Sequence, residues 1–179
     1  MDVLSLAVLC GHLVHPQMTL RIIAVESQGH VYAIHDNTTV GHYNPETLQD
    51  AVELSRQLIG AGHRLDVGLM QINVEAWLKP VQFPLERAFD PCTNITFGTT
   101  ILSADYTQAL TRTTVPTDAL ARALRLYNSG SEWHALSYAQ KVLGASEFGQ
   151  FAPSSPPSLR TQRSAQRAQL APVTFSGSR

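Results

Sequence analysis

Helix-start signals recur along this chain and confine it to short helical segments. Asn44-Pro45-Glu46-Thr47 sets a capping amide and a first-turn proline ahead of a run with Leu48, Ala51, Val52, Ser55, Leu58 and Ile59 on one face. Asp90-Pro91 repeats the device ahead of Ile95, Leu102, Tyr106 and Ala109, and Thr117-Asp118 opens a run to about Leu126. Pro16 marks an earlier break, and Gly60, Gly62 and Gly130 act as stops. The spacing predicts six helices, over about 3–10, 17–27, 44–59, 90–109, 117–126 and 137–143. Val31 to Tyr43 mixes β-branched, aromatic and polar residues around Asp36-Asn37 and Gly41, which predicts a small β-ribbon or an ordered loop. The fold class is therefore α+β and mainly α-helical. No stretch is long enough to cross a bilayer.

The helical pattern dissolves near Gly149, where Pro153-Ser154-Ser155-Pro156-Pro157-Ser158 begins a tail rich in Ser, Gln and Arg. The reading is one domain over 1–148 and a disordered basic tail over 149–179. Charge follows the same division. The net charge is -1, but the four residues Arg160, Arg163, Arg167 and Arg179 follow the last acid, Glu147, so the body stands at -5 and the tail at +4. A total this small implies no polyanion partner, so no nucleic acid is expected. The tail is read first as a solvated end and second as a contact for a partner. Cys10 and Cys92 are too far apart for a paired-cysteine redox or zinc motif. Either they form one disulfide or they are two small buried hydrophobes. Seven histidines are present, but no set has the ligand spacing of a known metal site, and no metal or cofactor is expected.

One carboxylate stands out. Ile22-Ile23-Ala24-Val25-Glu26-Ser27 puts Glu26 in the last turn of a helix whose Leu20, Ile23 and Ala24 recur at helical spacing. A carboxyl at the edge of an apolar core either stays protonated near neutral pH, as a general acid must, or points to solvent. Gln28-Gly29-His30 ends the helix, with Gly29 suited to a left-handed cap. Further on, Asp66-Val67-Gly68-Leu69-Met70-Gln71-Ile72-Asn73 sets two amides in an apolar run beside a glycine. Amides carry donors and acceptors that suit sugar hydroxyl and N-acetyl groups; they also satisfy local backbone in a buried turn. Asp36 and Asp66 are read as turn or surface residues. Trp77 and Trp133 are read as sugar platforms or as core.

Glu26-Ser27, Gly68-Leu69-Met70-Gln71, Asn94 with Gly98, Tyr127-Asn128-Ser129-Gly130 and Tyr138-Ala139-Gln140-Lys141-Val142 follow one another in this order. Together they resemble the motifs of the soluble-lytic-transglycosylase family, which has a goose-type-lysozyme-like fold. His15-Pro16, Ala33-Ile34, Ala61-Gly62-His63 and Phe89-Asp90-Pro91-Cys92 are similar to the VirB1-type transglycosylases of type IV secretion systems. The resemblance covers about residues 7 to 144. It departs from the family at Gln28-Gly29-His30, where a small pair and then Asn or Asp are usual, and at Ala139, where Val is usual. Val3 to Cys10 is short for a signal-peptide core and lacks a preceding base, so no export signal is recognised and the stretch is read as the first core helix.

The resemblance implies a lysozyme-like domain with the ribbon beside its cleft. It implies cleavage of the β-1,4 bond between N-acetylmuramic acid and N-acetylglucosamine in periplasmic peptidoglycan, with closure of a 1,6-anhydro ring. Glu26 would be the catalytic acid. Tyr127 would lie near it and help orient it or the substrate's acetamido group. Ser27, Met70, Gln71, Asn73, Asn128 and Tyr138 would contact substrate or support the contact, and Gly68, Asn94 and Gly98 would be architectural. Glycan strands would be the partner, with secretion-channel components reached through the tail. Two rival functions stay open: a muramidase that spends water on the same bond, and a peptidoglycan-binding assembly factor.

Overall fold

A computed structural model describes residues 1–145, so the expected tail over 149–179 and the domain end at 148 lie outside the described residues. Seven α-helices and one small sheet make up the described chain. They are α1 (Val3–Cys10), α2 (Pro16–Glu26), α3 (Leu48–Gly60), α4 (Leu85–Ala88), α5 (Pro91–Leu110), α6 (Pro116–Ser129) and α7 (Leu136–Gly144). The strands are β1 (Ile34–Asp36), β2 (Gly41–Tyr43), β3 (Leu65–Val67) and β4 (Ile72–Asn73). Among the described residues no helix is long and apolar enough to cross a membrane.

The 20-residue α5 is the central post, with Ile95, Leu102 and Ala109 buried along it. Asp90 caps it by accepting from the Thr93 N–H at 2.8 Å, with Pro91 in the first turn. A Cys10–Cys92 disulfide ties the end of α1 to the first turn of α5 and closes an 82-residue loop. The core gathers Ile22, Ile23, Ile34, Leu65, Leu69, Phe89, Ile95, Leu102 and Leu124, all nearly or fully shielded from solvent.

Several expected boundaries move. The third helix starts at Leu48, and its cap is Thr47 instead of Asn44. The Thr47 hydroxyl accepts from the Asp50 N–H at 3.1 Å and donates to the Asp50 carboxylate at 2.8 Å, a reciprocal pair that Asn44 has no partner to match. α6 runs past Leu126 to Ser129, so Tyr127 and Asn128 are helical, and Gly130 closes it at φ 67°. A π-helical turn (Val74–Leu78) and the one-turn α4 carried no periodic signal.

The expected ribbon is half of a four-stranded antiparallel sheet, in the order β2-β1-β3-β4. The stretch read as a strand-like turn supplies the other half. Ile34, Asp36, Leu65, Val67 and Ile72 are buried against the core. The registers His35↔His42, His35↔Asp66 and Asp66↔Asn73 align a polar row on the other face. Asp36 is the last residue of β1 and fully buried, not at the surface, and its carboxylate serves the following turn through Thr38 and Thr39. Burial alone would raise its pKa, but bonds from the Thr39 hydroxyl, the His63 ring and the Thr38 N–H outweigh that and hold it at about 2.

Candidate active site

α2 delivers Glu26. Pro16 starts the helix, the His15 ring accepts from the Gln17 N–H at 3.3 Å, and Leu20, Ile22, Ile23 and Ala24 bury its inner face. Ser27 ends it. Its buried hydroxyl donates to the Leu69 carbonyl at 2.8 Å and lies 3.2 Å from the Ile23 carbonyl. This fastens the end of α2 to the loop over residues 68–71. Gln28 (φ 54°) and Gly29 (φ 83°) then turn the chain away in left-handed conformations.

That loop is fixed from four sides. Gly68 sits at φ 80°, and a Cβ there would come 2.2 Å from Asn94 Nδ2, so only glycine fits. Buried Asn94 donates to the Val67 and Ala88 carbonyls at 3.0 and 2.8 Å and accepts from the Met70 N–H at 2.8 Å. Gly98 leaves room for the Met70 side chain, whose sulfur would lie 2.6 Å from a Cβ. The Tyr127 hydroxyl donates to the Met70 carbonyl at 2.7 Å.

The Tyr138 hydroxyl donates to Glu26 Oε1 at 2.5 Å. Protein surrounds the Glu26 carboxyl densely, while the residue keeps one partly open face. Burial raises its pKa to about 7; the negative charge of Asp66 adds to this, and the Tyr138 bond and Lys141 oppose it. Tyr127 and Tyr138 are both pushed well above the ordinary tyrosine value, by burial first and by the nearby Glu26 carboxylate. Both are therefore neutral donors at any working pH. The result is an acid that is about half protonated near neutrality, aimed by a neutral phenol.

The structure sorts the expected contact residues. Tyr127 feels the Glu26 charge, but its hydroxyl goes to Met70; the direct partner of Glu26 is Tyr138, 112 residues away in sequence, which was expected to contact substrate. The Met70 side chain is fully buried against Gly98, so it packs the loop and does not line a sugar subsite. The neighbour at Gly98 is thus this side chain, which gives the glycine the architectural part expected of it. Asn73 ties its amide locally, donating to Asp66 at 2.7 Å and accepting from the Ala76 N–H at 2.8 Å. Gln71 Nε2 donates to the Gly68 and Ala33 carbonyls at 2.8 and 3.2 Å. Ser27 is structural, and Asn128 is exposed at the end of α6.

Two acids were underread. Asp66 lies on the open sheet face, held by the Asn37 and Asn73 amides at 2.9 and 2.7 Å, with burial raising its pKa. It is close enough to act on Glu26. Asp105 has a buried Oδ2 without a hydrogen bond, and burial lifts its pKa to about 6. Its signal was in the sequence: Asn94, Gly98, Ile101 and Asp105 share one stripe of α5.

Residues 8–142 match the family described as Transglycosylase SLT domain. Protein virB1 of Agrobacterium fabrum is 31% identical over 140 residues, which cover 77% of this chain and 56% of that protein. Type IV secretion system protein virB1 of Brucella suis biovar 1 is 29% identical over 180 residues, covering 95% and 74%. Protein virB1 of Rhizobium radiobacter is 34% identical over 132 residues, covering 72% and 54%. The chain thus spans a little over half the length of the first and third of these relatives. No solved structure matches it.

Proposed function

The chain belongs to the transglycosylase SLT domain family, and from that premise we propose that it is a lytic transglycosylase cleaving the β-1,4 bond between N-acetylmuramic acid and N-acetylglucosamine in peptidoglycan. Glu26, protonated, gives its proton to the glycosidic oxygen as the C1–O bond breaks. The substrate's acetamido oxygen stabilises C1. The Glu26 carboxylate then takes the proton of the muramoyl C6 hydroxyl, whose oxygen closes on C1 to form the 1,6-anhydro ring. The same proton position is emptied and refilled, and no water is consumed.

The observation that carries this reading is one buried carboxyl bonded to Tyr138, with a pKa raised to about 7. Such a group serves as acid and then as base within one turnover. Tyr138 orients it. Tyr127, through the Met70 carbonyl, holds the loop that walls the site. The Brucella suis relative is named as a type IV secretion system protein, which supports a place for this chain in such a machine, acting in the periplasm where peptidoglycan lies.

Asp66 supports a second reading. A half-buried carboxylate acting on Glu26 is what a muramidase needs to activate water or trap C1. Mass spectrometry of purified peptidoglycan digested by wild type and by Glu26→Gln separates the two. Products with 1,6-anhydro muramic acid from wild type alone are expected. Reducing-end products transfer the assignment to the hydrolase, and equal activity of the variant removes Glu26 from it.

A further inference from the structure

Trp77 and Trp133 were read as sugar platforms or as core, and both side chains prove to be exposed, by 44% and 76%. Trp133 is the more unusual. A tryptophan open to water by three quarters normally sits on a loose loop or awaits a contact. This loop is not loose. The Ser129 hydroxyl donates to the Arg125 carbonyl at 2.8 Å and lies 3.1 Å from the Ser131 carbonyl, and it accepts from the Ser131 N–H at 3.3 Å. The Ser131 hydroxyl accepts from the Trp133 N–H at 3.2 Å. Arg125 Nε donates to the His134 carbonyl at 3.0 Å. Arg122 spans from Asp118 to the largely buried Glu132, both at 3.0 Å, and its guanidinium lies 5.9 Å from the Trp133 ring centre. Ala135 closes the turn at φ 56°, a conformation that costs a non-glycine residue energy.

The place of the loop gives this rigidity a purpose. Residues 130–135 join α6, which carries Tyr127, to α7, which carries Tyr138. Both tyrosines are within electrostatic reach of Glu26. Trp133 stands six residues after one and five before the other, so the loop joins the two helices that bring tyrosines to Glu26. Asn128, one residue past Tyr127, is also exposed. The Arg122 guanidinium lies over one face of the indole, and its bonds to Asp118 and Glu132 hold it there. A flat apolar face beside a guanidinium suits a pyranose ring, which is apolar on its axial C–H face and hydroxylated at its edge.

We infer that Trp133 is a stacking platform for an N-acetylhexosamine ring of the glycan strand, forming a subsite at the rim of the Glu26 cleft. The inference rests on the glycan-cleaving reading above and adds to it a residue that fixes where the strand lies. It needs no chemistry at the indole and contributes binding alone.

The test uses the Glu26→Gln chain, so that binding is measured without turnover, with chitohexaose as probe in isothermal titration calorimetry. Adding Trp133→Ala should weaken binding about tenfold, and Trp133→Phe should recover part of it. Because the side chain is exposed, unchanged circular dichroism and melting are expected for both variants. In the active chain, Trp133→Ala should raise KM for glycan strands and leave kcat near wild type. An unchanged Kd for Trp133→Ala overturns the inference and leaves the ring to a protein partner. Absence of binding by the Glu26→Gln chain itself, with its fold intact, overturns the glycan reading of the whole site and this subsite with it.

Discussion

Replacing Glu26 by Gln should abolish cleavage and, at alkaline pH, stabilise the protein. The argument runs through protons. The carboxyl has an ordinary pKa of 4.5 and stands at about 7 in the folded chain because burial disfavours its charge. The native state therefore holds the proton more tightly than the unfolded state does. Below pH 4.5 both states are protonated and Glu26 costs nothing. As pH rises from 4.5 to about 7 the unfolded chain releases its proton first, and stability falls. Above about 7 both states are ionised and the penalty levels off. The gap from 4.5 to about 7, at about 1.4 kcal/mol per pH unit, sets that penalty at about 3.5 kcal/mol, and the partly open face of the residue makes this an upper value. Glutamine has the same shape, still accepts from the Tyr138 hydroxyl, and does not titrate. At about 3 °C per kcal/mol for a domain of this size, the variant should melt up to about 10 °C above wild type at pH 8. The two should melt together at pH 4.5. Differential scanning calorimetry of both proteins at the two pH values checks this, since the contributions of other groups cancel in the difference. A difference in Tm that is the same at both pH values, or a wild type that is the more stable at pH 8, would refute the claim that the fold holds Glu26 as a strained acid.

Two further outcomes follow from the geometry. Tyr138→Phe removes a bond that favours the ionised carboxylate, so the alkaline limb of the pH–rate profile, near 7 in wild type, should move up by about one pH unit while kcat falls; a limb that stays in place would make Tyr138 a packing residue only. Converting Cys10 and Cys92 together to Ala frees an 82-residue loop in the unfolded chain, a loss of about 4 kcal/mol. Thermal denaturation of that variant should show a midpoint lower by more than about 10 °C, and a fall of less than about 3 °C would mean the bridge adds nothing the packing does not already supply.

Glu26 was legible because its signal is local. An acid at the end of an amphipathic helix, followed by Ser27 and a glycine, can be read in one window. So could Asp90-Pro91 and the stop at Gly130. Asn44-Pro45 misled because it looks like a cap, while the bond that decides lies between Thr47 and Asp50. Met70 misled for a different reason. A motif position indicates that a residue matters to the site, but not which way its side chain turns, and here Gly98 draws the side chain inward while only the carbonyl faces Tyr127. Asp66 was dismissed because its neighbours in sequence are a turn; its neighbours in space are Asn37, Asn73 and Glu26.

The sequence alone determined the class of fold, the order of its longer helices and the place of Glu26 at the end of one of them, because periodicity, caps and motif order act over short separations. Tertiary structure alone decided what surrounds that acid. Tyr138 reaches Glu26 across 112 residues, Asn94 links Val67, Met70 and Ala88, and the disulfide closes 82 residues. A pKa is set by burial and by charges in space, so the property that makes Glu26 a useful acid exists only once the chain has closed around it.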